Sequence, residues 1–189
     1  MLMPTLTCHL LTRHSPELAT IKALLKTQFP PAEQFPFWFL RWRARRPGID
    51  FLTFSVGSQV VGTAYLITHH GVTLVLYLAV TAANQSHGYG RQMLAMLQDR
   101  YPGNRFTLNI ETLDPQAPDN RQRERRRQFY LNNHYVPNGL TVIDSDIPYE
   151  VLVANGQVTL ADYRAIYRQF AGPILYPLFK PALSTNAQR

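Results

Sequence analysis

Apolar positions recur along the chain in two rhythms, and the switch between them marks out the elements. Residues 5–11 alternate as a first strand. Leu18, Ile21, Leu24 and Leu25 then fall at helical spacing, with Ser15-Pro16 expected as N-cap and first turn and Phe29-Pro30-Pro31 as the stop. A second helix is expected over 36–46, crowded with Phe35, Phe37, Trp38, Phe39 and Trp42 and stopped by Gly48. Two strands, 51–56 and 60–68, flank Gly57-Ser58, a favourable hairpin turn. His69-His70-Gly71 turns the chain again into an aliphatic and β-branched run over 72–80. Past a short polar stretch, Met93, Leu94, Leu97 and Tyr101 restore helical spacing up to Pro102-Gly103. A strand over 106–111 follows through a helix, so it should lie parallel to its predecessor. Asp119 is placed to cap a helix over 120–132, two strands over 135–143 and 149–154 come next, and a last helix spans 160–170. The order describes an α+β domain over 1–171, with a mostly antiparallel central sheet flanked by helices. Residues 172–189, broken by prolines, read as a loose tail.

Chemistry concentrates where the 72–80 strand gives way to the next helix. There Gln85-Ser86-His87-Gly88-Tyr89-Gly90-Arg91 forms a glycine loop at a helix start. A helix N-terminus offers unpaired N–H groups and the positive end of the helix dipole, and glycines let a ligand approach them, which suits a phosphate or pyrophosphate. A Gly-x-Gly alone is weak evidence. The dinucleotide fingerprint needs a third glycine where Met93 stands, and a P-loop needs Gly-Lys-Ser/Thr, which is missing.

The arrangement of Leu78-Ala79-Val80, then Gln85-x-x-Gly88-x-Gly90, resembles the acetyl-CoA-binding motif of the GCN5-related N-acetyltransferase (GNAT) superfamily, spacing for spacing. A second stretch, Phe129-Tyr130-Leu131-Asn132-Asn133-His134-Tyr135, is similar to that family's Phe-Tyr-x-x-x-Gly-Phe helix end. His134 and Tyr135 replace the family's glycine and phenylalanine, so Asn133 or His134 must adopt the φ > 0 turn, which both residue types tolerate. The element order agrees from about residue 5 to 154. The resemblance implies a sheet whose strands splay at the cofactor site and direct acetyl transfer from acetyl-CoA to an amine acceptor within a ternary complex. It implies that the backbone at Leu78 and Val80 pairs with the pantetheine arm and that the Val80 N–H polarises the thioester carbonyl. The N–H groups of 85–91 would hold the pyrophosphate, with the His87 side chain facing a phosphate. Tyr130 would be the general acid at the departing sulfur. A glutamate that some relatives carry four residues before the strand end is Leu74 here, so Glu111 is the best base, with Glu33 and Glu150 as further candidates.

Each of these has a plainer alternative. Helix-end tyrosines are mostly packing residues. Glu111 can equally be an ion pair with an arginine of the next helix. His69-His70 has no acid or thiol at ligand spacing, so no metal site is expected. The aromatic run at 35–42 is more often a buried cover, although the resemblance sets that region beside the acceptor, where an aromatic amine would fit.

Charge adds a competing reading. The chain of 189 residues carries a formal net charge of +7, and two runs hold nine of its 19 Lys and Arg: Arg41, Arg43, Arg45, Arg46, and Arg121, Arg123, Arg125, Arg126, Arg127. The second run could track a nucleic-acid backbone, but its arginines alternate around a helix, so nucleic acid is not the expected partner. An acyl-CoA-binding protein without catalysis is the other alternative. A lone Cys8 in a strand-like run suits a reducing compartment and a structural thiol, and no apolar segment approaches a membrane span. A cytoplasmic protein without membrane contact is therefore expected. Its acceptor would be a small-molecule or peptide amine, and a homodimer is left open.

Overall fold

The computed structural model describes residues 5–144, 147–178 and 182–185. The chain is described as two compact units, one of residues 1–67 and 75–102, the other of 68–74 and 103–189. The described residues contain a mixed, mostly antiparallel sheet and five α-helices, an α+β fold.

In the first unit, β1 (Leu6–Leu10), β2 (Ile49–Val56), β3 (Gln59–His69) and the end of β4 (Val72–Val80) are neighbours in that order, with helices α1 (Leu18–Gln28), α2 (Phe37–Arg43) and α3 (Tyr89–Arg100). β1 pairs antiparallel with β2 from Leu6 opposite Val56 to Leu10 opposite Leu52. β2 pairs with β3 across the Gly57-Ser58 turn, with a register shift between Phe54 and Ser55. Phe51, Leu52, Phe54, Ala64, Tyr65, Leu66 and Ile67 are all buried, so these strands read as continuous apolar runs rather than as alternation. Tyr65 explains why α2 lies where it does. Its hydroxyl donates to the Leu40 carbonyl at 3.0 Å while its ring packs edge-on against Phe51, 5.1 Å between centroids. Burial pushes that hydroxyl's pKa far above the phenol range.

Gly62 of β3 is closely approached from two sides. A Cβ there would stand 2.5 Å from the Ala79 carbonyl oxygen and 2.9 Å from Sδ and Cε of Met93. Met93, with Leu94 and Leu97, forms the buried stripe of α3. Only a glycine in β3 leaves room for that methionine against the end of β4.

The second unit begins with the first residues of β4, whose parallel register with β5 (Arg105–Glu111) runs over Val72, Thr73 and Leu74 opposite Arg105, Phe106 and Thr107. β5 pairs antiparallel with β7 (Ile147–Ala154) from Phe106 to Glu111, and β7 with β6 (Val136–Asp144). Helices α4 (Asn120–Leu131) and α5 (Leu160–Leu175) complete it. The capping box of α5 is made reciprocally: Thr159 Oγ1 accepts from the Asp162 N–H at 3.1 Å and Asp162 Oδ2 accepts from the Thr159 N–H at 2.9 Å. Tyr163, buried beneath β5, donates to Asn109 Oδ1 at 2.5 Å.

Three expectations are corrected. Ser15 does not cap α1: its Oγ accepts from the Thr12 N–H at 2.9 Å, and the helix begins three residues later behind Glu17. A serine that closes a local turn is no longer available as a cap. The second helix ends at Arg43 rather than at Arg46. Within the segment expected to be a loose tail, α5 continues past a kink at Gly172 (φ 75°), a 3-10 turn spans Tyr176–Leu178, and β8 (Ala182–Thr185) pairs antiparallel with Leu140–Ile143 of β6. Residues 179–181 and 186–189 of that tail lie outside the described residues.

Candidate active site

The residues expected to hold a cofactor lie together in the first unit. β4 alternates as it ends: Tyr77 and Ala79 are buried, whereas Leu76, Leu78 and Val80 are half-buried on the opposite face. Tyr77 fixes the buried face, donating to the Glu33 carbonyl at 2.5 Å and accepting from the Phe35 N–H at 3.1 Å. Beyond Val80 the Thr81 N–H donates to the Val61 carbonyl at 2.8 Å, and a 3-10 turn over Ala82–Asn84 leads into the loop. Gln85 ties the loop down, its Nε2 reaching the Val80 carbonyl at 3.3 Å and Gln28 Oε1 of α1 at 3.0 Å. His87 Nδ1 lies 2.7 Å from the Gln85 carbonyl.

Two residues then take left-handed backbone, Ser86 at φ 64° and Gly88 at φ 80°, and Gly88 is the N-cap of α3. No atom lies within 4 Å of a Cβ built at Gly88, so the glycine serves the turn and not a tight fit. The first helical bond runs from the Gln92 N–H to the Gly88 carbonyl at 3.2 Å. The N–H groups of Tyr89, Gly90 and Arg91 therefore belong to the opening turn, where an α-helix supplies no acceptor. Gln85, Ser86, His87, Gly88 and Arg91 are exposed. This is a helix N-terminus open to solvent with an arginine in its first turn, an arrangement that can take a phosphate group.

Glu111 and Tyr130 lie in the second unit, linked through α4. Glu111, 9% exposed at the end of β5, meets two guanidinium groups: Arg123 Nη2 at 3.2 Å from Oε1 and Arg126 Nη1 at 3.7 Å from Oε2. Arg123 also bonds Asp119 Oδ1 at 3.1 Å, which holds that exposed carboxylate below its usual pKa. Asp119 thus spends its side chain on an ion pair and makes no capping bond. Arg127 clasps Glu150 with two bonds, 2.7 and 3.1 Å, and this pairing raises the Arg127 pKa. Arg123, Arg126, Arg127 and Tyr130 recur at the spacing that puts them on one face of a helix. Arg121 and Arg125 are on the exposed side. Of the two readings of Glu111, the ion pair is the one present.

The end of α4 is a Schellman motif. His134 takes the left-handed position at φ 66°, its N–H donates to the Leu131 carbonyl at 3.2 Å, and the Tyr135 N–H reaches the Tyr130 carbonyl at 3.1 Å. The apolar contact that accompanies this motif is made by the two tyrosine rings, 5.7 Å apart and edge to face. Tyr130 is buried, and burial pushes its hydroxyl pKa up to about 12 against an opposing pull from Arg126.

Sequence reasoning missed Gly62, although a lone glycine inside a strand signals a close approach. It also missed how Tyr77 fastens the β4 end. Among the described residues no group of three His, Cys, Asp or Glu is placed to hold a metal ion, and no helix is long and apolar enough to cross a membrane.

No family model matches the chain, and no curated protein matches it in sequence. Solved structures do match. A protein assigned to the GNAT family of acetyltransferases from Bacteroides thetaiotaomicron superposes with a TM-score of 0.71 at 18% identity, over 90% of this chain and 98% of that one. An aminoglycoside 6'-N-acetyltransferase complexed with coenzyme A gives 0.62 at 15%, over 78% and 95%. The ribosomal-protein-S18-alanine N-acetyltransferase of Escherichia coli gives 0.61 at 11%, over 82% and 96%. The chain has the GNAT fold.

Proposed function

We propose that this protein is an N-acetyltransferase that moves the acetyl group of acetyl-CoA directly to an amine. The observation that carries the reading is the exposed helix start at Gly88, behind a strand ending in Leu78-Ala79-Val80, on a GNAT fold. Backbone at Leu78 and Val80 would pair with pantetheine, and the N–H groups of 85–91, with the side chains of His87 and Arg91, would hold the phosphates. In the transfer a neutral amine nitrogen attacks the thioester carbonyl, the C–N bond forms and the C–S bond breaks. The Val80 N–H would stabilise the developing oxyanion and the Tyr130 hydroxyl would protonate the leaving thiolate.

Tyr130 carries its proton at neutral pH as any phenol does, and burial, which raises its pKa, weakens it as an acid, so its part is to hydrogen-bond the departing thiolate as much as to protonate it. Glu111 serves as base only by exchanging an arginine for the amine, and its longer contact, from Oε2 to Arg126 at 3.7 Å, is the one to open. The fold neighbours include enzymes named for an aminoglycoside and for a ribosomal-protein alanine, so small amines and peptide N-termini head the acceptors to test. The nucleic-acid reading loses ground because Arg123, Arg126 and Arg127 are engaged with Glu111, Asp119 and Glu150.

Mixing the protein with acetyl-CoA and an amine panel should release free thiol with at least one acceptor. Gly88→Glu, which adds bulk, negative charge and backbone strain at the cap, should abolish calorimetric binding of CoA. Unaltered CoA affinity in that variant would sink the assignment.

A further inference from the structure

We propose that α2 carries a docking surface for an anionic lipid bilayer. The chain's positive charge gathers in two runs. In α4 three of five arginines are paired with carboxylates. From Gln34 to Ile49 the chain holds four arginines and no acidic residue. Arg45 and Arg46 are exposed and Arg41 is half-exposed.

The same segment exposes the chain's only two tryptophans, Trp38 at 69% and Trp42 at 42%. They stand four residues apart on one helix, hence side by side on one face. Each packs against the buried ring of Phe39 between them, at 5.9 and 5.8 Å. Arg43 lies over the Trp42 ring at 5.2 Å, backing that indole with a cation. These indoles are held in place from below with their outer surface in water.

Indole belongs at the boundary between headgroups and acyl chains, where its apolar body and its N–H are both satisfied, and arginines beside it meet lipid phosphates. A second copy of this face would set arginine against arginine. Contact of this kind needs no spanning helix.

Because Trp38 and Trp42 are the only tryptophans, intrinsic tryptophan emission reports on this surface alone. The full chain is titrated with vesicles of phosphatidylcholine and of phosphatidylcholine with phosphatidylglycerol, with co-sedimentation in parallel. The expected result is a blue shift and co-sedimentation with the anionic vesicles, weakening as salt shortens the Debye length. Arg45→Gln with Arg46→Gln should lower partitioning about fivefold per arginine, the factor that ~1 kcal/mol per basic residue gives. Trp38→Ser and Trp42→Ser should each lower it on the order of tenfold, with circular dichroism unchanged. No shift with anionic vesicles overturns the proposal. So does vesicle binding that survives both the arginine and the tryptophan substitutions. A shift produced by a single-stranded oligonucleotide and not by vesicles overturns it in favour of nucleic acid.

Discussion

Replacing Gly62 by alanine should disturb α3 and the loop it carries, although Gly62 itself touches no proposed ligand. The added methyl carbon would lie 2.5 Å from the Ala79 carbonyl oxygen and 2.9 Å from two atoms of Met93. Ordinary carbon contacts lie near 3.5–4.0 Å, so both are deep overlaps. The Met93 side chain can rotate away, but doing so withdraws a fully buried residue from its packing. The Ala79 carbonyl is backbone, and it can move only with the end of β4. Overpacking of this kind costs about 1–3 kcal/mol, which at urea slopes of about 1–3 kcal/mol/M lowers the unfolding midpoint by roughly 1 M. The loop hangs between β4 and α3, so CoA affinity measured by calorimetry should fall with stability. Gly57→Ala is the control. Gly57 has no atom within 4 Å of its would-be Cβ but holds φ 57°, so its strain should lower stability while leaving CoA affinity unchanged. A Gly62→Ala protein with a wild-type midpoint and wild-type CoA affinity would refute the steric argument.

Three further outcomes are expected. His134→Gly relieves a left-handed residue that carries a Cβ, and should raise stability by about 1 kcal/mol, read from denaturant unfolding. Tyr130→Phe keeps the ring against Tyr135 and should leave CoA affinity intact while kcat falls about 100-fold, the lower end for general-acid help because a thiolate leaves readily. Burial works against the Asp162 carboxylate, but bonds from Thr159 and the charge of Arg105 outweigh it and hold its pKa below the ordinary value of 3.8. A depressed carboxylate contributes stability that is present above the unfolded pKa and is lost as pH falls through the folded one. Asp162→Asn should therefore lower stability by about 1 kcal/mol at pH 7, with the gap to wild type closing below pH 4 in acid titration.

The order of elements was legible because apolar spacing is local, and strands and helices follow it. The left-handed residue at the α4 end was legible from the resemblance instead: the family's helix-end motif with its glycine missing leaves Asn133 or His134 to turn, and His134 does. Partners across the fold were not legible. Nothing local tells an arginine helix facing nucleic acid from one facing Glu111 and Glu150, because the answer depends on where β5 and β7 end beside α4. Ser15 misled because it has two uses, as a cap and as the closing residue of a turn with Thr12, and the turn won. β8 was invisible because its partner in β6 lies some forty residues upstream, at Leu140–Ile143.

The α4 helix buries a single residue, Tyr130. A helix normally docks through an apolar stripe, and this one has none; it is fastened by three arginines to carboxylates on β5 and β7. Ionic strength acts on such a fastening, more at the part-exposed Glu150 pair than at the buried Glu111, and hardly at all on an apolar one. The consequence is a molecule with two kinds of mechanical joint. Added salt should loosen α4, measured as faster amide exchange along 120–131, while the β2–β3 core keeps its protection. The tyrosine proposed for proton transfer would then sit on a salt-sensitive joint, and turnover should decline with salt before the protein begins to unfold.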